Sequence, residues 1–175
     1  MLGAGSNHAT ETLFHPVSLF MKKVQLHING FKRIVLVDSN ETILETLRNR
    51  LYLTGTKQCC DEGTCGSCTI LVDGIPVLGC LTPTVRCEGK TIVTIEGISS
   101  GDDLHPVQKQ LVKNGGLQCG FCTPGVVITA IPYLEENPNP TVNDIKEGLS
   151  GNLCRCTGYK KIIEAVKDAA EELNT

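Results

Sequence analysis

The sequence predicts an α+β chain, with a small mixed sheet folded round one helix and a compact four-helix unit after it. Two pairs of alternating apolar runs are each joined by a two-residue turn signal, Asn29-Gly30 and Asp73-Gly74. One amphipathic run, over 43–51, stands between the pairs. Beyond Gly97 the composition changes and the apolar residues take helical spacing.

Residues 1–20 hold Gly, Ser, Asn and Thr without a period and are expected to form a flexible tail. Val24, Leu26 and Ile28 then alternate toward the Asn29-Gly30 turn, and the return strand is expected over 32–37. Ser39 or Asn40 is expected to cap the following helix, with Glu41 in its first turn. Ile43, Leu44, Leu47 and Leu51 share one face of that helix, and Arg48 and Arg50 suit the negative end of its dipole. A second hairpin over 69–78 and a last strand over 91–95 complete the sheet.

Gly101, Asp102 and Asp103 read as a linker. Pro106 suits the first position of a helix that ends at Gly115-Gly116. Thr123-Pro124 caps and starts a second, with Val126, Val127, Ala130 and Ile131 on its apolar side and Pro132 expected to kink it. Thr141-x-x-Asp144 resembles a capping box for a third helix ending near Leu149. The fourth runs over 159–173, with Ile162, Ile163, Val166, Ala169, Ala170 and Leu173 on one face. The expected division is a tail at 1–20, a sheet unit at 21–97 and a helical unit at 98–175.

Composition excludes several classes. With 175 residues and a net charge of −3, the chain has no basic footprint for nucleic acid. Aromatics are 4% of residues and Trp is absent, so base-stacking platforms are lacking. No apolar run reaches the length of a membrane span. Ten cysteines would suit disulfides in a small secreted chain. Here they cluster at ligand-like spacings, and the first twenty residues lack a positive n-region and an A-x-A site. A reduced, cytoplasmic chain that uses cysteine to bind metal is the expectation.

The cysteines form two quartets. Cys60, Cys65, Cys68 and Cys80 follow C-x4-C-x2-C-x11-C, which is the plant-type [2Fe–2S] pattern. Gly63 and Gly66, with small Thr64 and Ser67, let backbone N–H groups approach the sulfurs of an anionic cluster. Cys119-Gly120-Phe121-Cys122 precedes the second helix of the helical unit, and Cys154-Arg155-Cys156 precedes the fourth. Helix starts offer free N–H groups that stabilise thiolates. A Cys-x-Cys pair is awkward on one ion and easier on a binuclear cluster, so a second [2Fe–2S] site is the natural reading. A structural zinc site on Cys119, Cys122, Cys154 and Cys156 is the alternative. His8, His15, His27 and His105 lie at unrelated positions, and none is expected as a ligand. Cys87 has no partner spacing and reads as a small buried hydrophobe. Lys160 and Lys161 read as a solvated helix end, and Arg155 either steers an anionic cofactor or is a surface charge.

The segments TGTKQCCDEGTCGSCTILVDG, QCGFCTPG and LSGNLCRCTGY closely resemble the two-cluster iron–sulfur subunit of the xanthine oxidase (molybdenum hydroxylase) family. The likeness spans about residues 22–166. It implies a β-grasp, plant-type ferredoxin-like domain followed by a four-helix domain. It also implies an electron-transfer subunit that is not catalytic alone. Its partners would be a large subunit holding molybdopterin and molybdenum and a medium subunit holding FAD. By the family's pattern, Gln118 and Cys156 face the pterin, Cys156 while also binding iron. The run LTGTKQ most resembles members acting on aromatic or CoA-linked aromatic substrates. One departure is Cys59, where the family usually has Gly, and it is expected to be a bystander.

Overall fold

Asn29 and Gly30 both take positive φ, 50° and 82°, as a type I′ turn requires. That turn sets the register of β1 (Lys22–Ile28) and β2 (Phe31–Val37), so that Ile28 faces Phe31 and Lys22 faces Val37. Asp73 and Gly74, at 51° and 83°, do the same for β3 (Thr69–Val72) and β4 (Ile75–Leu78). The protein is seen here in a computed structural model that describes residues 21–99, 101 and 103–175. The tail expected at 1–20 lies outside them, as do Ser100 and Asp102.

The last strand, β5 (Thr91–Val93), is shorter than expected because Ile95 already belongs to a 3-10 turn, Ile95–Gly97. It inserts parallel to β1 and antiparallel to β3, giving the order β2-β1-β5-β3-β4. Ile92 is wholly buried at this central position.

The helix on the sheet starts later than expected. Neither Ser39 nor Asn40 caps it. Thr42 does, because Glu45 lies three residues on and returns the bond. The Thr42 N–H donates to Glu45 Oε2 at 2.8 Å, and the Glu45 N–H donates to Thr42 Oγ1 at 3.3 Å. The element, α1 (Ile43–Glu45), passes directly into a π-helical turn, Thr46–Arg50. The two arginines do more than face a dipole. Arg50 holds Glu41 through paired hydrogen bonds. Burial pushes the Glu41 carboxyl up, but the bonds from Arg50 and Thr46 outweigh it and hold that group below its ordinary value. Arg48 reaches forward to the carbonyls of Thr54 and Thr56, at 2.9 and 2.8 Å, and so anchors the chain entering the first cysteine loop.

The helical half follows its punctuation. Pro106 opens α2 (Pro106–Lys113), capped by the His105 ring, whose Nδ1 accepts from the Val107 N–H. Gly115 follows its end at φ 65°. In α3 (Thr123–Glu136) Cys122, not Thr123, is the N-cap, and the helix runs on through Pro132 to Glu136. The capping box of Thr141 and Asp144 starts α4 (Val142–Gly148). The last helix, α5 (Lys160–Leu173), follows a left-handed Tyr159. Its inner face is Ile162, Ala165, Val166, Ala169 and Ala170. Ile163 is only partly buried and Leu173 is exposed, because the helix outruns the core at that end.

Among the described residues, buried side chains form two clusters. Leu26, Val37, Ile43, Leu47, Ile70 and Ile92 centre the one between sheet and α1, where Cys87 sits as the expected small hydrophobe. Val107, Leu111, Val127, Ile145, Ile162 and Val166 centre the one among α2 to α5. The two meet at β3, buried along its whole length, with α1 on one side and α3 packed from the other. No helix among the described residues is long and apolar enough to cross a membrane. Leu26→Ala is expected to destabilise the sheet unit by about 2–5 kcal/mol. Thr42→Ala is expected to cost about 1 kcal/mol. Urea midpoints followed by circular dichroism check both.

Candidate metal centres

The first quartet is built by a loop and a hairpin. Cys60, Cys65 and Cys68 lie in the loop between the π-helical turn and β3, and Cys80 follows β4 in a 3-10 turn, Gly79–Leu81. The Gly79 N–H donates to the Cys68 carbonyl at 3.1 Å, which ties the fourth cysteine to the third. The thiols of Cys68 and Cys80 interact with each other, as do those of Cys60 and Cys65. Gly63 and Gly66 take positive φ, 76° and 72°. A Cβ on Gly66 would lie 2.3 Å from the Gly151 carbonyl oxygen, so only glycine fits there.

The second quartet joins two helix starts. Cys119 and Cys122 precede α3, and Cys154 and Cys156 precede α5. Cys119 Sγ and Cys156 Sγ are 3.5 Å apart, and the Cys122 and Cys154 thiols also interact with each other. Cys119 and Cys156 are exposed, whereas Cys154 is buried. The quartet therefore has an outer edge and an inner edge. Gln118, Phe121 and Arg155 are exposed beside the outer edge in sequence.

The thiol environments suit metal. The Thr64 hydroxyl, then the Glu62 N–H, lower the Cys60 thiol to about 6. Burial pushes Cys68 and Cys122 up to about 12. Such thiols give up a proton when a metal takes the sulfur in its place. Burial also pushes Cys154 up, but hydrogen bonds from the Thr157 hydroxyl and nearby amides outweigh it and leave Cys154 below its ordinary value. Among the described residues, no group of three or more His, Cys, Asp or Glu is placed to hold a single metal ion. Four thiols set in opposed pairs are the donor set of a two-iron cluster, and both quartets fit one on that chemistry.

Sequence reasoning missed how the quartets touch. The Leu153 N–H donates to the Cys65 carbonyl at 2.9 Å. Asn152 Nδ2 donates to the Gly66 carbonyl at 3.2 Å, in a buried position. Gly125 of α3 backs the same carbonyl, and a Cβ there would lie 2.2 Å from it. One hydrogen bond thus joins a ligand candidate of the first quartet to the residue before a ligand candidate of the second. Asn152 lies in the recognisable run LSGNLC, but nothing in that run says what its amide meets. Cys59 is exposed and its thiol touches that of Cys65, which pushes it up by charge repulsion.

Comparison with known proteins bears on these sites. Residues 23–115 match the 2Fe-2S iron-sulfur cluster binding domain family, and residues 94–167 match the [2Fe-2S] binding domain family. The chain is 47% identical over 151 residues to the nicotine 6-hydroxylase small subunit of Paenarthrobacter nicotinovorans, covering 86% of this chain and 91% of that one. It is 40% identical to the nicotinate dehydrogenase small FeS subunit of Eubacterium barkeri, covering 85% of this chain and 94% of that one. Among solved structures, quinoline 2-oxidoreductase from Pseudomonas putida 86 superposes with a TM-score of 0.85 at 45% identity, over 88% of this chain and 96% of that chain.

Gly125→Ala is expected to push α3 off the Gly66 carbonyl and loosen the first quartet. Faster loss of visible absorbance to a chelator than in the parent chain would register it. Cys59→Gly is expected to leave iron content and spectrum unchanged, and a bleached spectrum would make Cys59 a ligand.

Proposed function

Because the chain belongs to the two-[2Fe–2S] iron–sulfur subunits of the xanthine oxidase (molybdenum hydroxylase) family, we propose that its two quartets form a relay with fixed direction of contact. The subunit is an electron-transfer part of a multi-subunit oxidoreductase. In this reading Cys119, Cys122, Cys154 and Cys156 hold one cluster, and Cys60, Cys65, Cys68 and Cys80 hold the other. Bound there, each [2Fe–2S] cluster would supply one-electron redox chemistry.

The observation that carries the reading is the two-edged setting of the second quartet. Its outer pair, Cys119 and Cys156, is exposed, and its inner member Cys154 follows the residue bonded to Cys65. The outer edge, with Gln118, meets the molybdopterin of the large subunit. At the inner edge, the hydrogen bond from the Leu153 amide to the Cys65 carbonyl would join the two quartets for transfer between the clusters they would hold. Cys60, partly exposed among Asp61, Glu62 and Thr64, then faces the next carrier. That carrier is the FAD of a medium subunit. Arg48 and Asn152 keep the two loops fixed, so little reorganisation accompanies each transfer.

The division into a sheet unit at 21–97 and a helical unit at 98–175 belongs to the same reading, and the two separate hydrophobic clusters support it. So does a cytoplasmic location, which keeps ten thiols reduced. Relatives named for nicotine, nicotinate and quinoline support an aromatic substrate for the complex.

Metal and sulfide analysis is expected to give about four irons and four sulfides per chain, with little zinc, as two binuclear clusters require. Gln118→Ala is expected to slow reduction of both clusters by substrate while leaving them assembled. Cys65→Ser is expected to spare reduction of the helical cluster and block onward transfer. Rapid-kinetic spectra of the complex decide between this order and its reverse. If Cys65→Ser stops substrate from reducing an intact helical cluster, the order is wrong.

A further inference from the structure

The turn between Cys154 and α5 fixes a hydroxyl on an inner sulfur. Thr157 Oγ1 lies 3.1 Å from Cys154 Sγ. The Tyr159 N–H donates to the same Thr157 Oγ1 at 3.2 Å. Gly158 and Tyr159 both take positive φ, 62° and 66°, and this double left-handed step turns the Tyr159 amide back onto the threonine. The Tyr159 hydroxyl in turn accepts the Cys154 N–H at 3.0 Å, which pins the other end of the turn.

These contacts decide who donates. A metal-bound cysteine sulfur carries no proton, so it can only accept. With the sulfur unprotonated, the contact forms only if Thr157 Oγ1 donates to Cys154 Sγ while it accepts the Tyr159 N–H. A hydrogen bond to a thiolate ligand stabilises the more negative, reduced state of the cluster more than the oxidised one. Cys154 is also buried, at 9% exposure, which limits the water that could replace the donor.

We propose that Thr157 is a positioning residue that raises the reduction potential of the helical-unit cluster by holding its hydroxyl on Cys154 Sγ. The residue keeps its proton throughout. One electron from the partner's site enters the cluster, no bond breaks, and the hydrogen bond strengthens as charge arrives. The effect falls on the inner sulfur, the one beside the Leu153–Cys65 seam, and so bears on the driving force between the two clusters. The inference rests on the two-cluster reading above.

The test is a potentiometric titration of the assembled complex, with the two clusters followed separately by electron paramagnetic resonance. Thr157→Val and Thr157→Ala are expected to move the helical cluster's midpoint to more negative potential and leave the other cluster's midpoint unmoved. Thr157→Ser, which keeps the hydroxyl, is expected to restore most of the parent value. An unchanged midpoint in Thr157→Val with both clusters present overturns the proposal and leaves the relay intact. Equal shifts in Thr157→Ser and Thr157→Val also overturn it, since packing would then be the cause. So does loss of the cluster from both Val and Ala variants with retention in Ser, which makes the hydroxyl an assembly requirement. Only two irons per parent chain would instead remove the two-cluster reading itself.

Discussion

Two adjacent carbonyls organise this molecule. Those of Cys65 and Gly66 accept hydrogen bonds from Leu153 and Asn152, nearly ninety residues further along the chain. Gly66 cannot carry a Cβ because Gly151 is in the way, and Gly125 cannot because Gly66 is. Three glycines therefore meet across one seam. The missing side chains of two of them, Gly66 and Gly125, let a sheet-borne loop and two helix starts close to backbone distance. The relay proposed above depends on that approach.

The seam also explains the uneven exposure of the sulfurs. Cys65 and Cys154, which flank it, are buried, as is Cys68 behind the loop, while Cys119 and Cys156 are exposed. Desolvation makes Cys68 and Cys122 poor acids, at about 12, whereas hydrogen bonds hold the buried Cys154 below its ordinary value. Metal reverses that preference, because a coordinated thiolate loses its proton and its charge is shared with iron. At Cys68 and Cys122 the packing thus favours a filled site or a protonated thiol over the free anion.

Much of this was legible in the chain. The two turn dipeptides, Pro106, Thr123-Pro124 and the Thr141–Asp144 box each mark a feature that local chemistry alone produces. The quartets were legible because ligand spacing is itself local. What escaped was set by distance or by competition. Ser39 and Asn40 are good caps in isolation, but Thr42 wins because only it has Glu45 three residues on. Arg50 looked like a helix-end charge until Glu41 came within reach. The contacts of Asn152, Gly125 and Thr157 depend on the folded arrangement, and no window of sequence contains both partners of the first two. Leu173 carried the helical period past the point where there was a core to face.

The place of β5 has a further consequence for how the molecule comes into being. It is the last strand in the chain and yet lies at the centre of the sheet, between β1 and β3. Until residues 91–93 have been synthesised, β1 and β3 have no neighbour between them, and the first hairpin and the cysteine loop belong to separate pieces. Pairings this far apart in sequence form slowly. A nascent chain therefore passes through an interval in which all four cysteines of the first quartet exist but the sheet that will bury two of them is open. That interval is the moment of widest access to the loop, and its length is set by the position of one three-residue strand.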